Sequence, residues 1–364
     1  MKPARTCVYT IALNEIKHVD RFMEHCQGAD LVLVCDTGST DGTVERLEQL
    51  GAQVYHITQR PWRFDAPRNT ALNLVPDDID FCLSIDLDEY LQPGWSEALQ
   101  RVWAEHDGNI DRISYDYIWN WSTDTVPGTR FFADKMHHRR GYIWHHPCHE
   151  TLYLWENREE RRVVVPEIIL HHRADPTKSR GQYMGLLAKA VKEDPSNDRM
   201  SHYYGRELMF QRRYQESIDE LKRHLELPSC WWREERCASM RFISRCYSSL
   251  GNNDEAQVWA QKAAQECPWT REPWLDMART YRNVRDWTTV YYAISKLLEI
   301  TVRGTTYIND ADCWGHEPYD LGAMAAWYLG LREKSLELGA RALEFHPDDA
   351  RLQNNLLWYQ GKVM

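Results

Sequence analysis

Through the first half of the chain, short apolar runs alternate with amphipathic stretches. Residues 8–13, 31–35, 53–57 and 80–85 are brief apolar segments, and helix-like runs lie near residues 17–27 and 43–50. That rhythm predicts βα units on a mainly parallel sheet. From Arg112 to about His172, the aromatic and β-branched runs at residues 113–118 and 163–170 predict further strands and loops rather than helices. After about Ser179 the spacing of apolar residues becomes helical, with Pro and Gly at intervals.

The helical part repeats. Ile243, Tyr247, Gly251, Ala256, Ala260, Ala263 and Pro268 fit a two-helix unit with small residues at the helix crossing and a closing proline. Further copies run through Trp274, Ala278, Tyr281 and Trp287, and through Gly330, Ser335, Gly339, Ala342 and Pro347. A degenerate first copy spans Gly205, Tyr214, Ser217 and Pro228. The copies are spaced at roughly 34 to 45 residues, so residues 303–317 must loop out of a tetratricopeptide-like array.

Composition narrows the class. With 43% hydrophobic residues, 27% charged residues and 16 Trp, the chain is richer in aromatics than a disordered one. Its ten cysteines form no C-x-x-C pair, which indicates neither a zinc site nor a disulfide framework, so they are expected as reduced thiols in a cytoplasm. The opening apolar run is too short and polar for a signal peptide or membrane span, and no other stretch is long enough to span. A net charge of -10 argues against a surface given over to nucleic acid. Residues 130–180 nonetheless hold ten Lys/Arg against seven Asp/Glu, plus seven His.

Two motifs carry chemistry. Asp36-Thr37-Gly38-Ser39-Thr40-Asp41-Gly42-Thr43 joins a strand to a helix, placing small residues and backbone N–H groups where a nucleotide can approach, or else forming a capped βα turn. Asp86 and Asp88 lie two apart at a strand end, so on an extended segment both point to one side and can share a hard cation such as Mg²⁺ or Mn²⁺.

Together with Asn14-Glu15 and Arg63-Phe64-Asp65-Ala66-Pro67-Arg68-Asn69, these motifs stand in the order and spacing of family 2 glycosyltransferases, which the chain resembles over most of its length. The continuation is similar to the repeat-bearing subgroup that includes phage-encoded enzymes and sublancin-type peptide S-glycosyltransferases. The resemblance implies a GT-A α/β domain over residues 1–178, Rossmann-like with a mainly parallel sheet. An all-α tetratricopeptide-like domain over residues 179–364 would serve as acceptor platform. It implies a hexosyl- or pentosyltransferase using a nucleotide sugar, UDP-linked, as co-substrate. Pro67 and the pair His172-Arg173 depart from the family's usual residues.

The resemblance also implies roles. Ala12, Asn14, Glu15 and Asp36 would lie near the base and ribose. Asp65 and Arg68 would hold the nucleotide, unless Arg68 is simply paired with Asp65. Asp86 would reach both nucleotide and metal. The metal set would be Asp86, Asp88 and His171, His171 standing alternatively as a buried structural histidine. An inverting transferase needs a base opposite the leaving diphosphate. Glu150 is the candidate, standing alternatively as the salt-bridge partner of a neighbouring Arg, with His149 as alternative base or orienting partner and Glu89 as competitor.

The acceptor reading stays open between two macromolecules. Residues 135–144 and Trp231-Trp232-Arg233 interleave cations with aromatics, as phosphate-tracking, base-stacking surfaces do. This leans the balance to a hydroxymethylated base in phage DNA. A protein or peptide side chain, O- or S-linked, fits a repeat array equally well.

Overall fold

A computed structural model describes residues 2–175 and 181–362. It divides into two compact units, Met1–Ala190 with Thr305–Tyr307, and Val191–Gly304 with Ile308–Met364. The boundary expected at residues 178/179 lies outside the described residues.

The first unit carries strands β1 (Thr6–Ala12), β2 (Leu31–Asp36), β3 (Gln53–His56), β4 (Phe81–Ser84), β5 (Glu89–Leu91), β6 (Arg112–Ile118), β7 (Arg130–His138), β8 (Tyr142–His145), β9 (Thr151–Leu154) and β10 (Arg162–His172). Helices α1 (Ile16–His25), α2 (Thr43–Gln49), α3 (Asp65–Leu74) and α4 (Trp95–Glu105) connect the early strands. Eight strands form one sheet in the order β3-β2-β1-β4-β7-β6-β10-β5, with β8-β9 as a separate hairpin. The pairings β1–β2, β2–β3, β1–β4 and β6–β10 are parallel, and β7 and β5 run against their neighbours. The strand order turns between β1 and β4, and the crevice at the carboxyl ends beside such a turn is where open α/β sheets bind ligands.

Alternation along the strands divides the core. Val8, Val34 and Leu83 pack on one side with Phe22, Leu47, Trp95 and Leu99 from α1, α2 and α4. Their neighbours Tyr9, Leu33 and Cys82 pack on the other, with Ala71 and Leu72 of α3 and Trp144 and Leu152 of the hairpin. The β8–β9 hairpin therefore closes the face that α3 begins to cover. All ten cysteines are buried free thiols.

Helix α5 (Gln182–Glu193) leads into the second unit, which is built from helix pairs. These are α6 (Asp198–Phe210) with α7 (Tyr214–Glu226), α8 (Arg233–Ser249) with α9 (Asn253–Glu266), α10 (Arg271–Asn283) with α11 (Trp287–Glu299), and α12 (Glu317–Tyr328) with α13 (Arg332–Phe345). A final helix, α14 (Ala350–Tyr359), covers the end. The first helix of each pair ends in a left-handed residue: Arg212, Gly251, Arg285 and Gly330, with φ of 59°, 78°, 58° and 76°. In three pairs a buried serine hydroxyl donates to a carbonyl of the facing helix: Ser217 to Gly205, Ser244 to Ala256 and Ser335 to Ala323. Among the described residues no helix is long and apolar enough to cross a membrane.

Between α11 and α12, the expected insertion contains a short 3-10 turn, Ala311–Trp314. Arg271 donates to the carbonyls of Ile300 and Cys313 at 2.8 and 3.1 Å, and Arg241, which holds Asp276 at 2.7 Å, also reaches Asp310. The segment leaves the repeat pattern but is bound to the helices by buried charge.

The two kinds of helical glycine predict opposite outcomes. A Cβ on Gly205 would meet Leu221 at 2.5 Å, whereas one on Gly185 meets nothing within 4 Å. Gly205→Ala is expected to destabilise by about 1–3 kcal/mol and Gly185→Ala to stabilise by about 0.5–1 kcal/mol. Thermal melts showing the same sign for both would contradict the packing described.

Candidate active site

The loops after β1 and β2 interlock before any ligand arrives. The Ala12 carbonyl accepts the Thr37 N–H and hydroxyl, both at 2.9 Å. Asn14, left-handed at φ 54°, donates its N–H to Ser39 Oγ and accepts the Thr40 N–H, both at 2.8 Å. The Glu15 N–H reaches Thr43 Oγ1 at 2.8 Å. Buried Asp36 accepts the N–H groups of Gly38 and Ser39 at 2.9 and 3.0 Å, folding its own loop back onto the strand end. Gly38 has φ 117° and open space where a Cβ would stand. The four residues expected near base and ribose thus form one rigid cradle around an exposed backbone.

At the start of α3, Arg63 grips Asp65 with two bonds of 2.6 and 2.7 Å, so Asp65 is not the partner of Arg68. Arg68 is buried one turn on and bridges two carboxylates. Its Nε donates to Glu150 Oε1 at 2.6 Å and its Nη2 to Asp86 Oδ1 at 2.7 Å. Ser84 Oγ lies 3.4 Å from Nη1, and the Trp144 ring lies beneath the guanidinium at 5.4 Å. Burial opposes the Asp86 charge, yet Arg68 and then Lys135 hold its carboxyl well below the usual range.

Glu89 is sealed behind these acids. It accepts the Asp86 N–H at 2.9 Å and the Tyr117 hydroxyl at 2.5 Å, and burial pushes its pKa up. Its bonds shape the Asp86–Glu89 turn. Lys135 Nζ, from β7, lies 3.9 Å from Asp86 Oδ2 and 3.8 Å from Glu89 Oε1. Burial disfavours its charge, but those two carboxylates outweigh burial and hold its pKa above the ordinary value.

Of the two histidines ending β10, the structure brings His172 to the acids. His172 Nε2 lies 3.3 Å from Asp88 Oδ2, while Nδ1 donates to the Trp119 carbonyl at 2.7 Å. Burial lowers its pKa, but the Asp88 hydrogen bond and Glu89 prevail and raise it to about 8. His171 instead stacks against Tyr90 at 4.7 Å and Trp121 at 5.6 Å, and burial lowers its pKa. Successive strand residues point to opposite faces, so the two cannot share a target. Pairing of β10 with β5, His172 opposite Glu89, settles which one faces inward.

The loop after β8 brings the remaining candidates. His146 and His149 are left-handed at φ 84° and 48°, and the Pro147 carbonyl accepts the Phe64 N–H at 2.9 Å. This ties the loop to α3 and sets Glu150 against Arg68. His149 lies over Tyr183 of α5 at 5.7 Å, and Tyr183 stacks on Phe64 at 6.1 Å. Glu150 receives Arg68 on one oxygen only.

The donor set suits a hard divalent cation. Among the described residues, Asp86 and Glu150 share Arg68, Asp86 and Glu89 flank Lys135, and Asp88 meets His172, so carboxylate oxygens and an imidazole, the donors such a cation takes, gather at one strand end. His172 is oriented through Nδ1 on a backbone carbonyl, leaving Nε2 to face Asp88, as metal-binding imidazoles are commonly held. Among the described residues no three His, Cys, Asp or Glu side chains converge closely enough to hold a cation alone. A cation here would need further oxygens from a ligand.

The strip at residues 135–144 keeps Arg140 exposed, 3.6 Å from Asp77, and turns Lys135, His137 and Arg139 inward. Lys135 faces the acids, and His137 is buried, with Nε2 2.9 Å from the Tyr9 hydroxyl. Arg139 is spent on the Val75 carbonyl at 3.0 and 2.6 Å. The sheet's alternation and the end of β7 draw Lys135, His137 and Arg139 inward.

Residues 7–157 match the family model described as glycosyl transferase family 2, which supports glycosyl transfer as the chemistry of the first unit. Solved structures similar to the chain include the Pseudomonas aeruginosa protein pilF, at 16% identity and TM-score 0.39, covering 49% of this chain and 72% of that one. Another is PilW, a type IV pilus biogenesis factor, at 17% identity and TM-score 0.40, covering 48% and 74%. A thermophilic TPR protein of Thermus thermophilus is similar at 16% identity and TM-score 0.35, covering 50% and 91%. The helix pairing described above rests on its own hydrogen bonds and caps.

Removing the Arg68 charge leaves Glu150 without its ion-pair partner and Asp86 with the more distant Lys135 alone. Arg68→Gln is expected to destabilise the protein by about 3 kcal/mol, read as a lowered melting temperature. Adding Glu150→Gln should restore part of the loss, with a coupling of about 0.5 kcal/mol or more. Strictly additive effects would show that the pair is not a working ion bridge.

Proposed function

We propose that the protein is a metal-dependent, inverting glycosyltransferase that moves a sugar from a nucleoside diphosphate donor, UDP-linked, to a macromolecular acceptor. The observation that carries this is the Arg68 bridge. One guanidinium holds Asp86, at the end of β4, and Glu150, on the far loop, so that the two face one space. The family match over residues 7–157 supports the same chemistry.

In this reading, the cradle of Ala12, Asn14, Glu15 and Asp36 binds base and ribose against rigid backbone, and Asp65, fixed by Arg63, would add a further contact to the nucleotide. Asp86, Asp88 and His172, which form no complete cage by themselves, would hold Mn²⁺ or Mg²⁺ together with the donor, and the cation when bound would supply positive charge for the diphosphate. His171, in its aromatic stack, supports the strand end instead. Glu150 is the base. Its Oε1 is anchored by Arg68, so Oε2 is presented to the acceptor. The acceptor proton passes to Glu150 as the acceptor atom bonds to the anomeric carbon, and the opposite carbon–oxygen bond breaks with its electron pair leaving on the diphosphate. Glu89 is closed in by Tyr117 and the Asp86 amide, and His149 is turned onto Tyr183, so both act as positioning residues.

For the acceptor we favour a protein or peptide side chain, because Lys135, His137 and Arg139 of the strip at residues 135–144 turn inward and leave Arg140 as its exposed cation, which weakens the support for a phosphate-tracking surface. Modified DNA retains one favourable observation in the second unit. Trp231 is 79% exposed, and the Arg233 guanidinium lies 4.5 Å over Trp269. A DNA acceptor would show binding that falls steeply with salt.

Two variants test this reading through nucleotide release from a sugar-nucleotide panel. Glu150→Gln is expected to lower kcat by about 100-fold or more while donor KM changes little. Asp88→Ala should abolish cation-stimulated turnover at an unchanged melting temperature. An Asp88→Ala protein of full activity would overturn the metal assignment.

A further inference from the structure

We infer that Lys135 is the residue that binds the donor's sugar-linked phosphate and stabilises the negative charge that develops on the departing diphosphate. The inference rests on the glycosyl-transfer reading above and adds to it a residue that no motif marks.

Three observations converge. The first is a break in the sheet. Met136 of β7 pairs with Ile113 and Ala133 with Tyr115, so Asp134 and Lys135 together stand opposite the single residue Ser114. Such a bulge re-aims a side chain, and bulges concentrate beside active sites. Here Asp134 is taken by Arg112 at 3.0 Å, and Lys135 is sent toward the turn that carries the acids.

The second is an ammonium whose donors are unspent. Lys135 Nζ stands 3.9 Å from Asp86 and 3.8 Å from Glu89, beyond hydrogen-bond reach of either carboxylate, at a side-chain exposure of 27%. An ammonium brings three N–H donors. Among the described residues none of them ends on a protein acceptor. Glu89 has satisfied itself elsewhere, on Tyr117 and the Asp86 amide, so it supplies field without claiming the proton.

The third is the contrast with Arg68. That guanidinium is committed to Asp86 and Glu150 at 2.7 and 2.6 Å and cannot turn to a phosphate without releasing the base. Among the described residues, Lys135 is then the one permanent cation in this group of acids with free donors. A phosphate oxygen suits it, since lysine binds phosphate as a compact point charge on a flexible stem. As the anomeric carbon–oxygen bond breaks, the electron pair moves onto the phosphate oxygen, and a nearby fixed positive charge stabilises that state more than the ground state.

The test compares binding of UDP and of uridine, with Mn²⁺ present, by calorimetry on the full chain. Lys135→Met is expected to weaken UDP binding about 10- to 100-fold, as loss of a charge-assisted hydrogen bond implies, and to leave uridine binding unchanged. Lys135→Arg should restore most of the UDP affinity. UDP affinity within twofold of wild type in Lys135→Met, or an equal loss for uridine, overturns the inference. A measurement on the unmutated protein guards against misfolding: UDP should protect Lys135 from reductive methylation, read by mass spectrometry, and uridine should not. Absence of that protection overturns the inference as well. A wild-type protein that binds no nucleoside diphosphate at all would instead bring down the glycosyl-transfer reading itself.

Discussion

Burying one guanidinium among carboxylates organises the first unit. Arg68 comes from α3, Asp86 from the end of β4 and Glu150 from the loop after β8, three segments far apart in sequence. A charge taken out of water is tolerated only when its partners are close and well directed, and removing one partner then costs more than the pair contributes. The helix, the sheet end and the hairpin loop are thereby held in fixed relation. The supporting contacts serve the same end: Asn69 exchanges hydrogen bonds with the Trp144 backbone at 2.9 and 2.8 Å, and the Phe64 N–H reaches Pro147.

From that constraint the chemistry takes its shape. The bridge uses up Arg68 and one oxygen of Glu150, leaves Asp88 to His172, and leaves Lys135 with free donors. The site thus sorts its charges into those that hold the architecture and those free to meet a ligand. The cradle around Asp36 is satisfied internally in a similar way, which makes it rigid while Gly38 keeps backbone open.

Much of this was legible in the chain. The alternation of Val8 with Tyr9 and Cys82 with Leu83 marks a sheet buried on both faces, and the residues around Ile243 to Pro268 mark a helix pair closed at Gly251. The crevice acids were legible too, because Asp86 and Asp88 follow a strand directly. Pairings across the sheet were hidden. Whether His171 or His172 faces the acids depends on the register of β10 against β5, a non-local choice that shifts every side chain with a one-residue slip. Lys135 was equally hidden: within a run of cations it reads as surface, and only the bulge opposite Ser114 turns it inward. Arg212 and Arg285 occupy turn positions where Gly251 and Gly330 announce themselves, so two of the four helix pairs lack the plain signal.

The most direct measurement is a thermal-shift titration of the intact protein with UDP-, GDP- and other sugar nucleotides, each with and without Mn²⁺. The account requires that one nucleotide class raise the melting temperature strongly with the cation and weakly without it. Among the described residues the acids lack a complete protein cage and need diphosphate oxygens to complete the site. Stabilisation by Mn²⁺ alone, indifferent to every sugar nucleotide, would contradict a shared cation–diphosphate site and with it the proposed chemistry.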